Sequence, residues 1–163
     1  MLNENQNEDA LIHTLNQLIT LNLHAVTIYH EASAQVEDSF CKRQLQNHCD
    51  SHVKHIEVLR SEISDLGGQC VDREPSNIHL SARRYFNDGG HRDDIGYSDE
   101  AILQDIMEMK NATTTAYGDA LASFQGIEGI AYLLEDHLRD ERIHRKWIES
   151  KLETVNLESV IAA

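Results

Sequence analysis

Near the C-terminus, Ile130, Leu134, Ile148, Leu152 and Val155 recur at helical steps, so they share one face of a helix. A face that only packs is apolar from end to end. The middle of this one reads His137, Glu141, His144. A carboxylate between two imidazoles, carried into an apolar interior, is costly unless something pairs with it. Glu141-x-x-His144 is also the i, i+3 pair with which helix bundles hold metal ions in their cores. The rest of the chain must supply partners for these three side chains.

Three further helices are expected. The first spans about 8–36 after a tail of 1–7, with Leu11, Leu15, Leu18, Ala25, Tyr29, Ala32 and Val36 inward and Asn22 interrupting that stripe. His24 and Glu31 fall on the opposite side, where polar groups stay wet. The second spans about 39–66, capped by Asp38 or Ser39 and stopped by Gly67-Gly68. Its inner face is Leu45, Cys49, His52, Ile56, Leu59, Ile63 and Leu66, and His48 and His55 flank His52 by one turn. The third, about 98–124, opens on Ser98-Asp99-Glu100. Its weak periodicity places Ala101, Asp105, Glu108, Ala112 and Ala116 inward. Gln125-Gly126 is a short turn, so the fourth helix, about 127–156, returns antiparallel.

The segment 67–97, with Pro75 and Gly89-Gly90, is too long for a tight hairpin. It is long enough to cross a bundle lengthwise, which makes the second and third helices parallel. A short helix is expected around Leu80–Phe86, with His79 and His91 solvated. The fold class is therefore all-α: a four-helix bundle with a long crossover between its second and third helices.

Composition narrows the function. With 163 residues, 40% of them apolar, and one proline, the chain fits a single all-helical domain, 1–163. The formal charge of −14 argues against nucleic acid or an anionic membrane as partner. No apolar run approaches membrane-spanning length, and MLNENQNEDA lacks the features of a signal peptide. Cys41, Cys49 and Cys70 have no framework spacing, which suggests reduced thiols and a cytoplasmic home. Nothing in the sequence marks cage contacts, so a monomer or homodimer is expected.

The polar interruptions fall midway along the helices. Glu108 and Glu141 each lie about sixteen to eighteen residues from the turn between their helices, hence roughly 25 Å along at about 1.5 Å per residue. They are thus expected at a common height.

At this point the residues carry a resemblance. Leu138-Arg139-Asp140-Glu141-x-x-His144-x-x-Trp147 resembles the last helix of the bacterioferritins, within the ferritin-like superfamily that also holds the rubrerythrins. The interval from Glu108 to Glu141 equals that between the family's third- and fourth-helix glutamates. Leu18 to Tyr29 resembles the family's first-helix stretch, and His55-x-Glu57-x-Leu59 the end of its second helix. His52-Val-Lys-His55 followed by Leu66-Gly67-Gly68 is similar to a group of bacterial ferritin-like proteins of unknown function. The resemblance implies a ferritin-like bundle with metal in its core. It also differs from the family: Asn22 and His52 stand where the diiron proteins have glutamates.

Charge then bears on stoichiometry. Four carboxylates neutralise two divalent ions, whereas Glu108 and Glu141 neutralise one. The set His52, His55, Glu108, Glu141 and His144 suits one Fe, Zn, Mn or Ni ion better than an iron pair. A second ion would need ligands such as His137, His48, Cys49 or a water-bridged Asn22. Asn22, Tyr29, His48 and His137 are candidates to orient the ligands or extend the set, with Tyr29 read first as core with a bonded hydroxyl. The expected function is a metal-binding bundle. The alternatives are an iron-dependent enzyme that reacts with O₂ or peroxide, as the resemblance implies, and a metal-free structural or stress-associated protein with a hydrogen-bonded polar core.

Overall fold

The computed structural model describes residues 4–70 and 98–162. They form four helices and, among the described residues, no strand: α1 Glu4–Gln35, α2 Ser39–Asp65, α3 Asp99–Phe124 and α4 Glu128–Ala162. The helix expected around Leu80–Phe86, with His79 and His91, lies outside the described residues. Among those that are described, no helix is long and apolar enough to cross a membrane.

The corners explain the topology. Asp38 sits in extended geometry ahead of α2 and accepts from the Phe40 and Cys41 amides at 2.8 and 3.2 Å. That is the N-cap interaction the sequence calls for. The backbone amides of Glu37 and Asp38 donate to the Asp99 carboxylate at 3.1 and 3.3 Å. α3 therefore begins beside the α1–α2 corner and runs parallel to α2. Lys151 reaches Asp38 at 2.7 Å, which brings the C-terminal part of α4 to the same corner. The result is an up-down-down-up bundle, the arrangement that a long crossover between α2 and α3 requires.

At the other end of α2, Gly67 adopts φ +71°, a left-handed conformation that glycine takes without strain. Its amide bonds to Ser64 O and that of Gly68 to Ile63 O, a Schellman closure. Gly68 presses on α1: a Cβ there would stand 2.9 Å from Ile12 Cδ1.

The interior is two apolar halves with a polar layer between them. One half gathers Leu11, Leu15, Leu18, Leu59, Ile63, Phe124 and Leu134. The other gathers Ala25, Ala32, Leu45, Leu103, Ile106 and Ile148. The inward face of α3 is Ile102, Leu103, Ile106, Met109, Lys110, Thr113, Tyr117, Ala120 and Phe124. This corrects the expected stripe: Glu108 and Ala112 are exposed, and Ala101, Asp105 and Ala116 are half-buried. His24, expected in solvent, is buried, whereas Thr27 on its side of α1 is exposed.

Candidate metal centre

Each helix contributes to the polar layer. α1 gives Asn22 and Tyr29, and α2 gives His48, His52 and His55. α3 gives Lys110, Thr113 and Tyr117, and α4 gives His137, Glu141 and His144. All are buried. Their positions follow from helical spacing, because each continues its helix's apolar stripe at steps of three and four.

At the centre, Lys110 Nζ donates to Glu141 Oε2 at 2.8 Å and to His52 Nε2 at 2.9 Å, with His144 Nδ1 at 3.4 Å. Both charged groups are fully enclosed. The Thr113 hydroxyl donates to the same carboxylate oxygen. The ammonium also stands 5.4 Å from the centre of the Tyr29 ring, within cation–π reach.

Asn22 sets the state of His52. Its amide nitrogen donates to Leu18 O and to the Tyr117 hydroxyl, each at 2.7 Å, which fixes the amide's orientation. Its oxygen therefore faces His52 Nδ1, also at 2.7 Å, and that nitrogen carries the proton. His52 Nε2 is left with a single lone pair, and it stands 3.4 Å from Glu141 Oε1. Two acceptors thus face the same small volume. Glu141 Oε1 has no hydrogen-bond donor.

His55 is held at one ring nitrogen. Its Nε2 meets Asp140 Oδ2 at 3.2 Å, while its buried Nδ1 has no hydrogen-bond partner. Among the described residues, His52, His55 and Glu141 each offer one ligand atom within 4.8 Å of the others. Two imidazole stacks flank this group, His48 on His144 and His55 on His137, each with centroids 3.9 Å apart. Tyr117 bridges the layer, with its hydroxyl 3.3 Å from His137 Nδ1. The Tyr29 hydroxyl has no hydrogen-bond partner, contrary to expectation.

Burial controls the protonation of the layer. It pushes His48 and His137 down to about 3 and His144 to about 2, with neighbouring Lys110 or imidazoles adding to the shift. His52 falls well below its ordinary value, through burial first and Lys110 second. His55 falls too, though less freely, because Asp140 opposes the burial effect. Burial also lowers Lys110, against the pull of Glu141. Tyr29 and Tyr117 rise well above the usual phenol range, because a phenolate would be desolvated beside Glu141. The imidazoles are thus neutral, and neutral imidazole is the form that binds metal.

Of the five residues expected to hold an ion, the structure gathers His52, His55, Glu141 and His144. Glu108 stands apart, exposed on the outer side of α3. It precedes Lys110 by two residues, about 200° around a helix, so its height suits the layer and its direction does not. Cys49 is half-buried, with its thiol directed at Val26 O. Lys110, Thr113, Tyr117 and Asp140 were not among the expected residues.

The architecture is that of a ferritin-like four-helix bundle. Within it, the chain belongs to the family described as Domain of unknown function (DUF2383), whose model matches residues 10–123. Solved structures share the fold at low identity. A ferritin-like, diiron-carboxylate protein of Bacillus anthracis superposes with TM-score 0.73 at 16% identity, over 93% of this chain and 99% of that one. A protein of Xanthomonas campestris gives 0.77 at 14%, over 96% and 97%. The bacterioferritin of Desulfovibrio desulfuricans, a protein with a diiron site, gives 0.79 at 19%, over 96% and 85%. No curated protein matches the sequence.

Proposed function

We propose that this protein binds one divalent transition-metal ion in the core of its bundle, through His52 Nε2, His55 Nδ1 and Glu141 Oε1. His144 is the fourth candidate ligand. The observation that carries the proposal is the pattern of satisfied and unsatisfied atoms. Each of the two imidazoles has its far nitrogen held by an acceptor, Asn22 for His52 and Asp140 for His55. Of the other nitrogens, His52 Nε2 stands 3.4 Å from Glu141 Oε1 with Lys110 Nζ as its donor, and the buried His55 Nδ1, like Glu141 Oε1, has no hydrogen-bond partner. An acceptor on the far nitrogen is how proteins orient metal-binding histidines. The ferritin-like fold and the diiron proteins among its solved neighbours support the metal-binding part of this reading, not the count of one ion.

An iron pair does not suit this layer. Among the described residues Glu141 is the one acidic side chain in the core, and Lys110 adds a positive charge beside it. A single ion with imidazole-rich ligands fits Fe(II), Zn(II) or Ni(II) better than Mn(II), which prefers oxygen. When bound, such an ion would supply Lewis acidity or, as iron, one-electron chemistry. The chain's own part is to hold three donors in a dry interior, with neutral imidazoles.

The test is elemental analysis of untagged protein after exposure to each metal, repeated on Glu141→Ala. The expected result is about one equivalent in the native chain and its loss in the variant. Unchanged metal content in Glu141→Ala would reject the site. Failure of the native protein and of Lys110→Met to take up any of these ions would reject metal binding itself, leaving a polar core neutralised by Lys110.

A further inference from the structure

We infer that Lys110 is the resident cation of the polar layer, and that its ammonium and a metal ion compete for the same atoms. The inference builds on the single-ion reading above. The decisive atom is His52 Nε2. Because Asn22 holds the proton on Nδ1, Nε2 has one lone pair, directed into the layer. Lys110 Nζ already uses it, at 2.9 Å. A lone pair spent on an N–H donor is not available to a metal.

The second shared partner is Glu141. Its Oε2 receives both Lys110 and Thr113, while Oε1 remains without a donor. One buried carboxylate balances one ammonium. If a divalent ion joined them, two positive groups would share a single anion in a water-poor interior, and like charges at such range repel strongly. Entry of the ion therefore requires the lysine side chain to leave His52 and Glu141.

No other described group can take over this part. Lys110 is the one lysine or arginine in the core among the described residues. It reaches α2 through His52 and α4 through Glu141 and His144, so it joins three helices. The native lysine thus weakens metal binding without abolishing it. Residue 110 is the specificity-determining position, setting whether the layer holds an ammonium or an ion.

Lys110→Met tests this, since it keeps the length and apolar stem and removes the charge. Co(II) is titrated into native protein and variant, and binding is read by the visible absorption of the bound ion and by the shift in thermal midpoint. The variant is expected to bind on the order of a hundredfold more tightly, and Glu141→Ala added to it should remove the gain. The metal-free variant leaves Glu141 with Thr113 as donor but no cation and is destabilised, so Lys110→Gln, which retains hydrogen-bonding capacity, is measured alongside. Equal or weaker Co(II) binding by both variants, relative to a native protein that does bind, overturns the competition and leaves the single-ion site standing. Absence of binding in all three proteins overturns the site and the competition together.

Discussion

Glu141 has two oxygens in different circumstances. Oε2 receives Lys110 and Thr113, and Oε1 receives no hydrogen bond. Thr113→Val removes one donor without opening a cavity, and is expected to cost about 1–3 kcal/mol in urea unfolding. Asn22→Leu removes the clamp on His52 and the donor to Tyr117. It is expected to cost a similar amount, about 1–3 kcal/mol, and to weaken any metal binding, because His52 is then free to change tautomer. An Asn22→Leu protein as stable as the native chain would show that the amide is ornamental. At this scale the sequence was legible on α2 and α4, where imidazoles and a carboxylate interrupt clear apolar stripes. It was not legible at Lys110. Ile106, Lys110, Thr113, Tyr117, Ala120 and Phe124 alternate steps of four and three, the signature of one helix face. Lysine is so rarely enclosed that it reads as solvent-facing, and the sequence alone turns the face toward Glu108. The lysine needs Glu141 to be tolerable inside, and that partner is on another helix.

The helices owe their limits to local chemistry that can be tested one end at a time. Asp38 both caps α2 and receives Lys151, whose ammonium is the main reason the carboxyl is held below its usual value. Asp38→Ala is expected to cost about 1 kcal/mol, whereas Asp38→Asn retains most of the cap. Equal losses in the two would mean that the Lys151 contact outweighs the cap. Gly67→Ala places a Cβ in the left-handed region and is expected to cost roughly 1–2 kcal/mol. Both ends were readable from the sequence, because caps and glycine stops act within a few residues. Faces are harder than ends. The face of α3 depends on packing against α1 and α4, and its own pattern, rich in Ala and Thr, is weak. His24 shows the same limit on α1, being drawn inside by neighbours that the helix alone does not reveal.

Across the whole molecule, neutral imidazoles in a dry layer make stability depend on acid. The unfolded chain has ordinary histidines near 6.5, while His48 and His137 are held near 3 and His144 near 2. Below about pH 6.5 the unfolded state therefore binds more protons than the folded one. Stability is intact above that pH and is lost as pH falls toward the folded values. Each imidazole contributes a slope of about 1.4 kcal/mol per pH unit. Three together consume an ordinary stability of roughly 5–15 kcal/mol between about pH 5 and pH 3. A circular-dichroism acid titration checks this, and helix content unchanged below pH 3 would mean that the layer is already hydrated. The fold itself was legible: four helices, a short second turn, and a crossover long enough to keep α2 and α3 parallel. Amphipathic stripes and connection lengths largely determine that architecture.

Two slippery cores joined by one band of charges have a further property. Leucine and isoleucine surfaces tolerate a helix sliding by one turn, since each such residue finds an equivalent neighbour. The ammonium of α3 and the carboxylate of α4 do not: a shift of about 5.4 Å strands both in oil. The band therefore acts as a key that accepts a single alignment of the four rods. Replacing it wholesale with methionine and leucine is expected to yield a bundle more resistant to denaturant by about 1–4 kcal/mol, but with broadened side-chain resonances from several coexisting alignments.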